Sequence, residues 1–279
     1  MQYTLFSHRR FFLSLFIGLI GIGVFGVYFV KQVPTTSSEE TLWVVDNSLS
    51  MAVEDIHDRG NTSSRSRLDL ARSIVMSGVT LIPGKHAIIT YARNAWILAP
   101  FTSDIPTLGS TLSHIEPILE NGGSDINAAF ALINTLYTTN NHQINIILLT
   151  DGGDTGSGAL PSLPPGATLR IIGIGTNAWW PIPLGYDAAG QRRYKIYENK
   201  EITVPYDPVH IDRIVQGYHA AIERIQSLET VDSVMASLKS QFTNSLPLSN
   251  SSEWILLITG SILLLLALFL HPYAHTSQE

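Results

Sequence analysis

Four short apolar runs punctuate the middle of the chain: Leu42 to Asp46 (LWVVD), His86 to Tyr91 (HAIITY), Ile144 to Thr150 (INIILLT) and Thr168 to Ile174 (TLRIIGI). None is long enough for an ordinary helix, and none alternates cleanly between apolar and polar, so each suits a strand covered on both faces. Between them, Ser66 to Ile82, Ile105 to Leu119 and Asp125 to Tyr137 carry apolar residues at the three-and-four spacing of an amphipathic helix. Strand and helix in alternation predict an α/β fold around a doubly wound, mostly parallel sheet of Rossmann-like kind. Trp96 to Ala99 is expected to add an antiparallel edge strand, with Arg93-Asn94 at the hairpin turn. Asn177 to Pro205, interrupted by Pro181 and Pro183, reads as an excursion with a β-hairpin over Tyr194 to Val204. Asp207 then caps a helix over 208–216 that opens on Pro208, followed by a strand near 219–225 and a last helix over 229–241.

The ends of the chain obey a different rule. Only 14% of the residues are charged, against about a quarter in soluble domains. Residues 11–30 (FFLSLFIGLIGIGVFGVYFV) and 254–270 (WILLITGSILLLLALFL) contain no charge at all. A twenty-residue helix spans about 30 Å, the thickness of the hydrocarbon core, so both stretches are expected to be transmembrane helices flanking the domain. The first run is longer than the apolar part of a signal peptide and leaves as Tyr28-Phe29-Val30-Lys31, which favours an uncleaved anchor. Arg9 and Arg10 place the N-terminus in the cytoplasm. The expected order is a cytoplasmic tail 1–10, span 11–30, tether 31–40, domain 41–241, tether 242–253, span 254–270 and cytoplasmic tail 271–279, with the domain outside the cytoplasm.

The net charge is −6, and once Arg9, Arg10 and Glu279 are set aside the segment 31–253 stands at −7. An acidic domain lacks the basic face that phosphate binding needs, which argues against nucleic acid. With no cysteine in the chain, disulfides, zinc thiolates and a cysteine nucleophile are excluded.

In a doubly wound sheet, ligands gather outside the carboxyl ends of the strands, and those ends are rich in oxygen here. The first run ends in Asp46-Asn47-Ser48-Leu49-Ser50 and the third in Thr150-Asp151-Gly152-Gly153; the loop before the third helix reads Gly122-Gly123-Ser124-Asp125. Hydroxyls with carboxylates nearby suit a hard octahedral cation, Mg²⁺ or Mn²⁺, better than zinc. Local roles stay open for each piece: Asp46 with Ser48 as a helix cap, Ser124 as an N-cap, Asp151 as a turn initiator.

These residues resemble the metal-ion-dependent adhesion site of the von Willebrand factor type A (VWA) domain. Its pattern, Asp-x-Ser-x-Ser, then a Thr, then an Asp, falls on Asp46, Ser48, Ser50, Ser124 and Asp151, with Ser124 in place of the usual Thr. The resemblance implies that Ser48, Ser50 and Ser124 ligate a metal directly, that Asp46 and Asp151 hold it through water, and that a partner's acidic side chain completes the shell. Glu54-Asp55-Ile56, Ser66 to Arg72, Gly84-Lys85, Ala99 to Asp104 and Pro181-Ile182-Pro183-Leu184 are similar to the membrane-anchored bacterial aerotolerance (Bat-type) VWA proteins. That likeness implies a non-enzymatic interaction module of the bacterial inner membrane, facing the periplasm. Its implied partners are other VWA membrane proteins and a MoxR-type AAA+ ATPase, in stress tolerance or maturation of exported proteins. Two features depart from the subgroup: Ser157 to Gly166 is short and Pro-rich where a helix is expected, and one anchor alone precedes the domain.

Other chemistry has less support. The glycines after Asp151 lack a P-loop's Gly-Lys-Ser/Thr ending, and His86, lying within an apolar strand-like run, is expected to be structural. A Mg²⁺-dependent hydrolase stays open, with no general base designated, as does a scaffold whose metal site is vestigial. Trp179-Trp180 is expected to pack over a sheet edge, and Arg192-Arg193 to lie on a solvated hairpin.

Overall fold

A computed structural model describes residues 40–57, 64–119, 123–137, 144–156 and 158–244. The expected spans 11–30 and 254–270, the tails 1–10 and 271–279, and tether residues 31–39 and 245–253 lie outside the described residues. Among the described residues no helix is long and apolar enough to cross a membrane.

The expected alternation is present. Six strands form one sheet: β1 (Glu40–Asp46), β2 (Lys85–Tyr91), β3 (Ala95–Thr102), β4 (Ile144–Thr150), β5 (Thr168–Ile174) and β6 (Ala221–Ile225). Their order is β6-β5-β4-β1-β2-β3, parallel throughout except for the antiparallel β2–β3 edge. Five helices cover it: α1 (Arg67–Leu81), α2 (Ile105–Ser113), α3 (Ile126–Tyr137), α4 (Pro208–Tyr218) and α5 (Glu229–Asn244).

Period-two alternation in fully buried strands divides the core into two layers. Trp43 and Val45 of β1 belong to the layer that holds Leu70 and Ile74 of α1, Leu108 of α2 and Leu238 of α5, while Leu42 and Val44 belong to the layer that holds Phe130 and Ile133 of α3 and Ile211 of α4. Each such side chain contributes about 1.5–3 kcal/mol on burial. Gly78 lets α1 settle on the Trp43 ring, since a Cβ there would overlap the indole. The indole Nε1 donates to His86 Nδ1 at 3.2 Å, and His86 Nε2 lies 3.0 Å from the Ile82 carbonyl, so His86 is structural and holds its proton on Nε2.

Two elements, α2 and the excursion, differ from expectation, and the Pro-rich segment after Asp151 departs from the Bat-type pattern as its sequence indicated. α2 stops at Ser113 instead of reaching Leu119, because Pro117 forces the preceding residue out of the helical region. The freed segment turns inward, burying Ile115 and bonding Ile118 N–H to the Asn47 carbonyl. No helix occurs among the described residues between β4 and β5; Pro161, Pro164 and Pro165 forbid one, and Leu160 and Leu163 cover that face instead. The excursion is three small ribbons rather than a single hairpin: Trp180–Pro181 with Thr203–Val204, Pro183–Tyr186 with Arg192–Tyr194, and Ile196–Tyr197 with Lys200–Glu201.

Candidate metal centre

The strand order reverses between β1 and β4, and the carboxyl ends of those two strands carry Asp46 and Thr150-Asp151. A doubly wound sheet leaves its crevice at such a point. Asp46 is completely buried, and both of its oxygens accept hydrogen bonds. Oδ1 accepts from Ser48 N–H at 2.9 Å; Oδ2 accepts from the Thr150 hydroxyl at 2.7 Å and the Tyr91 hydroxyl at 3.2 Å. The Ser48 N–H bond folds the chain back, so Ser48 Oγ and Ser50 Oγ come to 3.1 Å from one another. Ser48 precedes a 3₁₀ turn, Leu49–Ala52, but its side chain makes no capping bond, so its hydroxyl is not spent on the helix.

Asp151 sits across from this pair. Its Oδ1 accepts from Gly153 N–H at 2.9 Å, and its Oδ2 accepts from Arg67 Nη1 at 2.7 Å. A Cβ built on Gly153 would lie 3.2 Å from Asp151 Oδ1 and 3.4 Å from Ser50 Oγ, which places both oxygens beside the same glycine. Glycine at 153 keeps the gap between them clear.

Ser124 joins through the loop that follows Asp151. Thr155 N–H donates to the Ser124 carbonyl at 2.7 Å, and Ser124 N–H donates to Thr155 Oγ1 at 3.2 Å. Gly123, with φ of 137°, is required at this crossing, because a Cβ there would stand 2.6 Å from Thr155 Oγ1. Cap duty for α3 falls to Asp125, whose Oδ1 accepts from Asn127 N–H at 3.0 Å. Ser124 Oγ is left buried without a hydrogen-bond partner. A buried hydroxyl so placed costs about 1–3 kcal/mol, and an oxygen-seeking cation would satisfy it. Asp46, Ser48, Ser50 and Asp151 thus lie at the carboxyl ends of β1 and β4, and Ser124 is tied through Thr155 to the loop that follows Asp151.

Electrostatics favours positive charge there. Burial, and then the nearby Asp151 carboxylate, push the Asp46 pKa up to about 7. Burial and the Asp46 charge likewise push Tyr91 well above the ordinary phenol value. Among the described residues no three His, Asp or Glu side chains cluster as metal ligands. A metal at this edge would thus be held by the Ser48, Ser50 and Ser124 hydroxyls with Asp46 and Asp151 behind them, a hard donor set that fits Mg²⁺ or Mn²⁺.

Arg67, Asp55, Thr150 and Tyr91 belong to the same constellation but were not among the residues predicted as ligands. Arg67 grips Asp55 through Nε and Nη2 at 3.0 and 2.7 Å, and all three side chains of the Asp55–Arg67–Asp151 triad are buried. Burial opposes ionisation at both Asp55 and Arg67, but their pairing more than offsets it, holding the carboxyl below and the guanidinium above its ordinary range. A signal for Arg67 existed: it heads the apolar stripe Leu70, Ile74, Gly78 of α1, where an arginine needs a buried partner.

Residues 41–153 match the sequence profile of the von Willebrand factor type A domain. The fold is VWA-like. The fold is similar to that of BatB from Bacteroides thetaiotaomicron, a conserved hypothetical protein, at 20% identity and TM-score 0.60, covering 74% of this chain and 99% of that one. It is also similar to an aerotolerance-related membrane protein from Bacteroides fragilis bearing multiple mutations to serine, at 23% identity and TM-score 0.62, with the same coverage of 74% and 99%. A search of curated proteins returns no match. The likeness to Bat-type VWA proteins read from the sequence is the likeness these comparisons return.

Proposed function

We propose that this chain is a membrane-anchored, non-enzymatic VWA interaction module. It binds Mg²⁺ or Mn²⁺ at Ser48, Ser50 and Ser124, with Asp46 and Asp151 acting through water, and docks an acidic side chain of a partner protein. The observation that carries the reading is the Ser124 hydroxyl, buried and unpartnered on a loop tied to the one after Asp151, together with the Ser48–Ser50 pair at the sheet's reversal point. Neutral hydroxyl ligands leave most of the cation's charge available to an incoming carboxylate. Both Asp46 oxygens and both Asp151 oxygens already accept protein hydrogen bonds, which favours their acting from behind the metal.

Membrane anchoring rests on the two charge-free segments, 11–30 and 254–270, and on the description of the Bacteroides fragilis relative as an aerotolerance-related membrane protein. We place the domain on the periplasmic side of the inner membrane, with other VWA membrane proteins and a MoxR-type ATPase as partners. The test is capture of membrane partners by the full-length chain in detergent, with Mg²⁺ or EDTA, beside Ser48→Ala and Asp151→Ala. Capture that depends on Mg²⁺ and is lost in both variants is expected. Capture unchanged by chelation and by both substitutions would overturn the metal-docking reading.

A further inference from the structure

We infer that Arg67 is a positioning residue of the metal centre, acting on the metal through Asp151 and itself held in place by Asp55. The inference rests on the metal reading above and adds to it which oxygen of Asp151 is offered to the cation.

A carboxylate beside a metal can present either oxygen, or both. Arg67 Nη1 occupies Asp151 Oδ2 at 2.7 Å, so the oxygen left on the Ser50 side is Oδ1, the one that shares Gly153 with Ser50 Oγ. Arg67 cannot swing away to release it. Its Nε and Nη2 are pinned by the two oxygens of Asp55, and Asp55 is pinned in turn by Thr176 N–H at 2.8 Å and the Thr176 hydroxyl at 3.0 Å. Gly175, with φ of 136°, leaves room for the guanidinium, because a Cβ there would lie 2.9 Å from Arg67 Nε. The fork geometry matters: a planar guanidinium reaches two carboxylates in fixed directions, and a lysine ammonium on its flexible stem does not. Partners that orient a metal-binding group are typically worth 10–100-fold in metal affinity.

The test titrates the full-length chain in detergent with Mn²⁺, read by the loss of the free-ion EPR signal, and with Mg²⁺ as competitor. The variants are Arg67→Lys, Arg67→Met, Asp55→Asn and, as a control, Ile74→Ala, which removes core packing on the same helix. Arg67→Met and Asp55→Asn are expected to weaken binding about 10-fold or more, Arg67→Lys to fall between them and the native chain, and Ile74→Ala to keep native affinity despite a lowered Tm. Among the described residues Asp55 is linked to Asp151 through Arg67, so it carries the test if Arg67→Met fails to fold. Native affinity in Asp55→Asn and Arg67→Lys would overturn the inference alone, as would equal weakening in Ile74→Ala. A native chain that binds neither ion overturns the metal reading and this inference with it.

Discussion

A metal-free centre should destabilise the domain in a pH-dependent way, and Asp46→Asn isolates the effect. In the folded chain Asp46 titrates at about 7, whereas an unfolded aspartate titrates near 3.9. The folded value is the raised one, so the folded state holds the proton more tightly. The stability contributed by the group is fully present below about pH 4 and is lost as pH rises toward 7. Three units at about 1.36 kcal/mol each set an upper limit of about 4 kcal/mol on that loss, because Asp46 shares its repulsion with Asp151. Asparagine removes the charge and keeps the shape. Its oxygen can still accept from Ser48 N–H, and the Thr150 and Tyr91 hydroxyls, which donate to Asp46 Oδ2, can turn to accept from the new amide. In EDTA, Asp46→Asn should therefore come within about 1 kcal/mol of the native chain at pH 4.5 and exceed it by about 1–4 kcal/mol at pH 8, while binding Mg²⁺ less well. The assay is urea unfolding of both proteins across that range, followed by the fluorescence of buried Trp43. Comparing the pair cancels the other titrating groups. A difference between them that does not change with pH would refute the reasoning.

Two further substitutions follow from single contacts. Ser124→Ala removes a hydroxyl with no partner, so thermal unfolding without metal should be unchanged or stabilised by about 1 kcal/mol, where loss of a real N-cap would cost about 1 kcal/mol; calorimetric titration should show weaker Mg²⁺ binding. Gly78→Ala gains about 1 kcal/mol of helix propensity, but its Cβ meets the Trp43 ring inside a filled core. Overpacking of that kind costs about 1–3 kcal/mol, so Tm should fall; a rise would mean that Trp43 moves aside freely.

What the sequence made legible depended on how far apart the interacting groups lie along the chain. β1, β2, β4 and β5 were readable because strands buried on both faces are written as continuous apolar runs, and their carboxyl ends located the centre once parallel order was inferred. The ribbons of the excursion were not, because two to four residues are too few to establish a period. Ser48 and Ser50 are two residues apart and share a turn, so their convergence is local. Arg67 and Asp151 stand 84 positions apart, and nothing within either segment announces the other. The isolated charge at the head of the α1 stripe showed that a partner was needed but not which one.

The proposed centre would let an acidic domain attract an acidic ligand. Over the whole surface the charge is repulsive, but at physiological salt that field fades within about 8 Å, so the groups at the sheet edge decide. Of the three buried aspartates there, Asp55 and Asp151 share Arg67 and Asp46 alone lacks a cation, being held instead by hydroxyls and one N–H. With all three carboxylates ionised, the core of the centre thus carries about two negative charges before metal and none after a divalent ion binds. If Arg67 were absent, one more negative charge would remain and the loaded centre would repel a carboxylate. On this account the buried arginine, distant in sequence and untouched by solvent, sets the sign of the field that an incoming acid meets.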